Sequence, residues 1–168
     1  MNDNEYLILA AIRNKEEKTA LALIRNHIAP SFTTIDSSTL LIEAVEHEQI
    51  EVARALLDAG IDPQIRVGDV NALEKAARGN MLKMGRMLLE KGADPDNKDR
   101  AGKTPTDYAE SNNFDQFVNL INEFRETKKI AAEKAACEVK IKENLAISAA
   151  NIARLDSMLK PQRRRGGP

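Results

Sequence analysis

The chain has 168 residues, of which 42% are hydrophobic and 30% are charged, proportions that are ordinary for a globular protein with one domain and a modest extension. Its formal net charge of −1 conceals an uneven distribution, because residues 36–67 carry seven acidic and two basic side chains while residues 127–168 carry ten basic and four acidic ones. The single cysteine, Cys137, excludes an intrachain disulfide, and a chain of this length needs neither a disulfide nor a metal to stabilise its core.

The N-terminal sequence does not have the pattern of a cleaved export signal. Residues 1–5 are Met-Asn-Asp-Asn-Glu, which lack the basic segment followed by an apolar segment that a signal peptide requires. No run of residues approaches the roughly 18 apolar positions that a membrane-spanning helix needs. We therefore expect a soluble cytoplasmic protein, or one that leaves its cell of origin without a cleaved signal.

Two features recur along the chain at nearly constant intervals. Three similar turn sequences begin at His27, Gly60 and Gly92. A second series with the same spacing consists of Tyr6, Thr39, Asn71 and Thr104. A fixed period of about 33 residues predicts stacked repeats rather than a closed globule.

Each repeat is predicted to contain two short helices. The first helix opens at Thr39, Asn71 or Thr104, because the side-chain oxygen of such a residue accepts a hydrogen bond from the free N–H groups of the first turn. Asn71 and Glu74 have the spacing of a capping box, and Pro105 suits the first helical position.

The second helix of a repeat carries an apolar stripe. In residues 50–57 and 82–89, apolar side chains recur at intervals of three and four positions, which places them on one helical face. Gly60 and Gly92 follow these helices at the position that commonly adopts a left-handed conformation. One pair of short helices cannot bury such a stripe, so the repeats must stack on one another.

These sequences resemble the ankyrin repeat. Residues 88–94, Leu-Leu-Glu-Lys-Gly-Ala-Asp, match the end of the second ankyrin helix, and residues 104–109, Thr-Pro-Thr-Asp-Tyr-Ala, are similar to the start of a terminal ankyrin unit. The resemblance implies an all-α solenoid, an ankyrin-repeat domain over residues 1–126. It contains about four helix-turn-helix units, at 3–35, 36–67, 68–99 and 100–126.

The sequence departs from the ankyrin pattern at two repeated positions. The histidine typical of the first helix is replaced by Leu9, Ile42, Glu74 and Asp107. The glycine typical of the turn between the helices is replaced by Lys15, Glu48, Asn80 and Asn113. Asparagine tolerates a left-handed conformation, whereas Lys15 and Glu48 are expected to be strained there. Loss of the histidine predicts a less stable array with the same fold.

A long C-terminal helical extension is predicted over residues 127–160, which contain no glycine or proline. Positions spaced by four and three residues form a heptad-like seam that consists of Ile141, Leu145, Ser148, Ile152, Leu155 and Leu159. Two interpretations remain open. The helix either folds back and covers the exposed face of the last repeat, or it pairs with another chain or a partner helix and so permits an oligomer.

Residues 161–168 form a short basic tail for which we predict disorder. Its three adjacent arginines, Arg163, Arg164 and Arg165, have the charge to contact nucleic acid, an acidic membrane or an acidic protein. A solvated tail is the simpler interpretation, so we do not expect nucleic-acid or membrane binding anywhere else in the chain.

No catalytic or metal-binding constellation is recognisable in the sequence. The only two histidines, His27 and His47, fall at predicted turns, and Cys137 lies on the extension. The acidic residues within 94–99 lack the glycine and the terminal glutamate of a calcium-binding loop. We therefore expect neither an enzyme nor a bound cofactor or metal.

The predicted binding surface consists of positions that the repeat does not need for packing. In stacked helical repeats, the hairpin tips and the exposed ends of the first helices form a concave surface. The register places eight candidate protein-binding residues there, namely Glu46, His47, Arg66, Asp69, Arg78, Arg100, Lys103 and Asn112. Four of them are the predicted anchors, because arginine is frequent at interface hot spots and charge steers association; these are Arg66, Arg78, Arg100 and Lys103.

The leading functional hypothesis is a noncatalytic adaptor or inhibitor that binds a protein partner on this concave surface. Charge reversal at the four anchors is expected to abolish binding and to leave the melting temperature nearly unchanged. Small ankyrin proteins include bacterial proteins delivered into host cells, and the irregular repeats are compatible with such an effector. The alternatives are assembly through residues 127–160 and contact with nucleic acid or membrane through the tail.

Overall fold

The computed structural model describes residues 3–27 and 35–159, which are mostly helical, as the all-α expectation requires. The helices are α1 (Asp3–Arg13), α2 (Glu17–His27), α3 (Ile35–Glu46), α4 (Ile50–Asp58), α5 (Ala72–Arg78), α6 (Leu82–Glu90), α7 (Pro105–Ser111) and α8 (Asp115–Leu159). Strands β1 (Arg66–Val67) and β2 (Val70–Asn71) form an antiparallel hairpin between α4 and α5. The chain divides into two compact units, Met1–Phe124 and Arg125–Pro168.

The helices of the first compact unit pack in two layers. Helices α1, α3, α5 and α7 contact one another in succession, and so do α2, α4 and α6. Helices α1, α3 and α5 each pack against the helix that follows them in the chain. We call the solvent-facing side of α1, α3, α5 and α7, together with the loops that precede α5 and α7, the first-layer surface.

Aliphatic side chains make up most of the core of this compact unit. The predicted apolar stripes are confirmed, because the buried side chains of α4 and α6 are Val52, Ala53, Leu56, Leu57, Met84, Met87, Leu88 and Leu89. The first turns of α8 complete the core with Phe117 and Ile121, neither of which is exposed to solvent. The ring of Phe117 lies against Gly85 of α6, where a Cβ atom would come within 2.7 Å of the ring atoms Cε2 and Cζ.

The predicted helix caps are confirmed at α5 and α7 but not at α3. Asn71 and Glu74 form the expected capping box, and Thr104 and Asp107 form a second one with Pro105 in the first turn. Thr39 lies inside α3, which begins at Ile35, so its predicted role as a cap is wrong. The reason is local: residues 35–38 contain no glycine or proline to stop the helix from extending toward the N-terminus.

The turns between paired helices repeat one hydrogen-bonding pattern four times. The residue at the left-handed position has a φ between 52° and 58°, and the four residues are Lys15, Glu48, Asn80 and Asn113. The next residue donates its N–H to a carbonyl five positions back, at 2.8–3.0 Å, as in Glu16 to Ala11 and Phe114 to Ala109. This is the Schellman-type ending of a helix. The left-handed positions predicted at Gly60 and Gly92 are also confirmed, with φ of 96° and 95°.

The second compact unit contains the part of α8 from Arg125 to Leu159. All described side chains from 126 to 155 are exposed, including the seam residues Ile141, Leu145, Ser148, Ile152 and Leu155. The side chain of Leu159 and the predicted basic tail, 161–168 with Arg163, Arg164 and Arg165, lie outside the described part of the chain. Over residues 3–27 and 35–159, no helix is long and apolar enough to cross a membrane.

Candidate protein-binding surface

The eight predicted site residues occupy helix ends and loops of the first compact unit. Glu46 ends α3 and His47 follows it, Arg78 ends α5, and Asn112 caps α7 at its C-terminus. The hairpin before α5 contains Arg66 and Asp69, and the loop before α7 contains Arg100 and Lys103. Most of these residues contact residues of a neighbouring repeat. These contacts determine whether each side chain is available to bind another protein.

Three contacts on the first-layer surface join successive helices of that layer. Arg13 of α1 pairs with Glu43 of α3 at 2.6 Å, and Glu46 of α3 pairs with Lys75 of α5 at 3.2 Å. Between α5 and α7, the guanidinium carbon of Arg78 lies 3.9 Å from the centroid of the Tyr108 ring. We call these the three cross-repeat contacts. His47 adds a longer contact to Glu43, at 3.6 Å.

The three cross-repeat contacts use the same two register positions each time. Positions within a repeat are counted from its first residue, which is Tyr6, Thr39, Asn71 or Thr104. In each contact, the eighth residue of one repeat meets the fifth residue of the next. The eighth position was predicted as part of the site at Glu46 and Arg78. The fifth position, occupied by Glu43, Lys75 and Tyr108, was missed, although its constant spacing is visible in the sequence. The contacts therefore brace the layer from one repeat to the next.

Arg66 has a structural role that its position in the repeat did not predict. Its guanidinium donates to both carboxylate oxygens of Glu74, at 2.6 and 3.1 Å, to the carbonyl of Asp69 at 2.7 Å and to Oδ1 of Asn97 at 2.9 Å. Glu74 is fully buried, so the charge of Arg66 neutralises a carboxylate in the interior. The expectation that reversing the charge of Arg66 leaves the melting temperature unchanged is therefore inconsistent with this geometry.

Tyr108 is the centre of a polar cluster between α5 and the loop that precedes α7. Its hydroxyl donates to Asp99, and the ammonium group of Lys103 lies 5.5 Å from its ring centroid. The side-chain amide of Asn112 donates to the Tyr108 carbonyl at 2.7 Å, so this predicted site residue closes the end of α7. Arg78 and Lys103 thus lie close to the same aromatic ring.

A separate ion pair connects the hairpin before α5 to the loop before α7. The Arg100 Nε atom lies 2.9 Å from a carboxylate oxygen of Asp69, and 83% of the Arg100 side chain is exposed. An ion pair that is so accessible to water contributes little to stability. Both residues therefore remain available for an interface.

Three carboxyl groups on this side of the molecule have pKa values below their ordinary range. The hydrogen bond from Arg13 lowers the pKa of Glu43. The hydroxyl of Tyr108 is the largest cause of the lowered pKa of Asp99, and backbone and side-chain donors of Thr104 lower the pKa of Asp107. The same hydrogen bond to Asp99 raises the pKa of Tyr108. The folded chain therefore favours the ionised carboxylates and the neutral phenol.

Acidification is expected to destabilise the fold through these carboxyl groups. A carboxyl whose folded pKa is lowered adds stability that is complete above its unfolded pKa, about 4, and that is lost as the pH falls through the folded value. Urea midpoints measured between about pH 5 and pH 3 should therefore fall less steeply for D99N/D107N than for the wild type. The control, E110Q/E123Q, removes two exposed carboxylates that have no described ion pair and should follow the wild type. Equal slopes for all three proteins would contradict the assignment.

The side of the molecule formed by α2, α4 and α6, which we call the second-layer side, has a groove that offers a comparison surface. Its volume is about 460 Å³, and its lining includes Arg54, Lys83, Arg86, Glu90 and Glu123. Over the described residues, Lys83 and Arg86 form no ion pair. This surface therefore supplies matched control positions for charge changes on the first-layer surface.

The described residues contain no group of three or more His, Cys, Asp or Glu side chains that could hold a metal ion. Cys137 is exposed on α8, and the side chain of His27 lies outside the described part of the chain. Neither the comparison with protein-family models nor that with curated proteins finds a match to this sequence.

Proposed function

We propose that residues 1–126 form an array of ankyrin repeats. The proposal is supported by the sequence period of about 33 residues and by the four turns between paired helices, which share one hydrogen-bonding pattern. Glu74 and Asp107, which replace the typical ankyrin histidine, bind the backbone of the preceding capping residue and so tie down the same turn. At this turn, the acidic residue that replaces the histidine therefore accepts a hydrogen bond from the backbone.

The function that the surface supports best is noncatalytic protein binding, as an adaptor or inhibitor, through the first-layer surface. The observation that carries this proposal is the row of accessible charged side chains at repeated register positions, braced by the three cross-repeat contacts. Side chains held by neighbours lose less conformational entropy when a partner binds. Because Arg66 is paired with the buried carboxylate of Glu74, it is no longer one of the proposed anchors. The proposed anchors are Arg78, Arg100 and Lys103.

The proposal is tested by a triple charge reversal, R78E/R100E/K103E, in a pull-down from native lysate that is read by mass spectrometry. We expect the captured partner to bind the variant at least tenfold more weakly than the wild type, a loss of about 1.4 kcal/mol or more. The matched control is R54E/K83E/R86E, which makes the same change in net charge on the second-layer side. Binding that survives the first variant, or that both variants weaken equally, would argue against this surface.

A second candidate function is assembly through α8. The observation that favours it is the large apolar side chains exposed on the part of α8 in the second compact unit, which include Ile141, Leu145, Ile152 and Leu155 of the seam. In globular proteins, most helical stability comes from packing an apolar face against something else. In this proposal, the seam packs against a helix of another chain in the manner of a coiled coil.

Substitution within the seam tests whether α8 mediates assembly or remains an isolated helix. If α8 mediates assembly, the full chain should be larger than a monomer by light scattering, and L145Q/I152Q should return it to monomer mass. The control is V139Q/I147Q, which removes two exposed apolar side chains outside the seam. A monomeric wild type at about 100 μM, well above the dissociation constants of stable dimers, would exclude self-assembly.

A further inference from the structure

The cations of the first-layer surface differ in whether they have a carboxylate partner. Arg13, Lys75 and Arg100 each pair with a carboxylate at 3.2 Å or less, and Arg66 pairs with Glu74.

Over the described residues, Arg78 and Lys103 form no such ion pair. Two of the three cross-repeat contacts are ion pairs, whereas the third joins a cation to the neutral ring of Tyr108. The third contact therefore orders a cation without neutralising it.

The two carboxylates nearest in sequence to Lys103 are already committed to other donors. Asp99 accepts hydrogen bonds from the backbone N–H groups of Ala101 and Lys103, at 2.8 and 2.9 Å, and from the hydroxyl of Tyr108. Asp107 accepts from the backbone and the hydroxyl of Thr104, at 2.6 and 2.8 Å. These bonds shape the loop and cap α7. The charge of Lys103 acts on Asp107 at longer range, but over the described residues neither carboxylate forms an ion pair with Arg78 or Lys103.

Contact with the ring also holds Arg78 in place. Its guanidinium lies 3.9 Å from the Tyr108 centroid, as in a cation–π interaction, and no carboxylate or carbonyl of the described residues accepts from its side-chain donors. A guanidinium has five donors in a planar fork, which matches a carboxylate in a bidentate arrangement. Lys103, 5.5 Å from the same centroid, adds a second positive charge within reach of the same ligand.

We propose that Arg78, Tyr108 and Lys103 form a docking point for an acidic segment of the partner protein, with one Glu or Asp carboxylate on Arg78 and another on Lys103. This inference rests on the proposed function of the first-layer surface and adds the chemistry of the partner. Alternate residues of an extended chain lie roughly 7 Å apart, so acidic residues at such spacing reach both cations. The second-layer cations Lys83 and Arg86 lack an aromatic ring in their groove and share it with Glu90 and Glu123, so they do not offer the same site.

The test is a titration of the full chain with capped hexaglutamate, followed by ¹H–¹⁵N NMR of backbone amides and arginine side chains at low salt. We expect saturable shifts centred on Arg78, Lys103 and Tyr108, and no such shifts with capped hexaglutamine. The variant R78Q/K103Q should raise the dissociation constant at least tenfold, whereas K83Q/R86Q, which makes the same change in net charge, should raise it less than threefold. The spectra also show whether each variant keeps the native fold.

Several outcomes would overturn this inference. They are an absence of saturable shifts, shifts centred on Lys83 and Arg86, equal weakening by the two variants, and tighter binding of a hexadeoxythymidylate, which would assign the cations to phosphate. The titration needs no natural partner, so its failure is distinguishable from that of the proposed function. If the pull-down succeeds and hexaglutamate does not bind, the proposed protein-binding surface is retained, and the inference that it recognises an acidic segment is rejected.

Discussion

Replacement of Arg66 by glutamine is expected to lower the free energy of unfolding by about 3 kcal/mol, the lower end of the range for breaking a buried ion pair. The side chain of Glu74 is 0% exposed, and Arg66 is its cationic partner at 2.6 Å. Without the guanidinium, a buried carboxylate keeps only the backbone hydrogen bond from Asn71. Arg66 itself is 23% exposed, so water can reach part of the site and the cost stays near the lower limit.

Urea unfolding followed by circular dichroism measures this loss. The control is Arg100→Gln, which removes an exposed ion pair and should cost less than about 1 kcal/mol. The double variant R66Q/E74Q should lose clearly less than the sum of the two single losses, because it leaves no unpaired charge in the interior. Equal losses for R66Q and R100Q would contradict the structural role of Arg66.

Replacement of Phe117 by alanine is expected to cost about 4 kcal/mol, as for other fully buried aromatic side chains. Phe117 is 0% exposed, and its ring fills the space above Gly85 that a Cβ atom would otherwise occupy. The change therefore opens a cavity between α6 and the first turns of α8. Thermal unfolding gives the loss, and the conservative change Phe117→Leu should cost less because it leaves a smaller cavity.

Substitution of Gly85 provides a second test of the contact between Gly85 and the ring of Phe117. Gly85→Ala alone should destabilise the chain by about 1–2 kcal/mol, because overpacking against the ring outweighs the better helix propensity of alanine. In the F117A background the same substitution should be neutral or stabilising, since the obstructing ring is gone. Gly79→Ala is the control, because its Cβ would meet only the flexible side chain of Met81. Additive effects of G85A and F117A would show that the two positions are not in contact.

The repeated local features are the part of the fold that could be predicted from the sequence. The spacing of Asn71 from Glu74 predicted the capping box, and the positions of Gly60 and Gly92 predicted the left-handed helix endings. These features depend on hydrogen bonds within a few residues, so the local sequence contains all of their determinants. The same is true of the apolar stripe of α4, whose buried face follows from helical periodicity alone.

The candidate site could be predicted only in part. The sequence register identified Arg78 and Lys103 as accessible, but the ring of Tyr108 that lies near both belongs to α7, two helices further along the chain than Arg78. The register also selected Arg66, whose bond to a buried carboxylate depends on the path of the hairpin. Thr39 shows the converse, because a good capping residue was overridden by a helix that begins earlier.

By itself, the sequence determined the period, the paired helices, the turns and the buried stripes of this protein, because each depends on neighbours in the chain. The tertiary structure alone decided which charges are neutralised. Arg13, Glu46 and Arg78 occupy equivalent register positions, yet their partners are respectively an anion, a cation and a neutral ring from the next repeat. Side-chain partners that lie about one repeat away in sequence meet only when the repeats stack, and no pattern within one repeat specifies them.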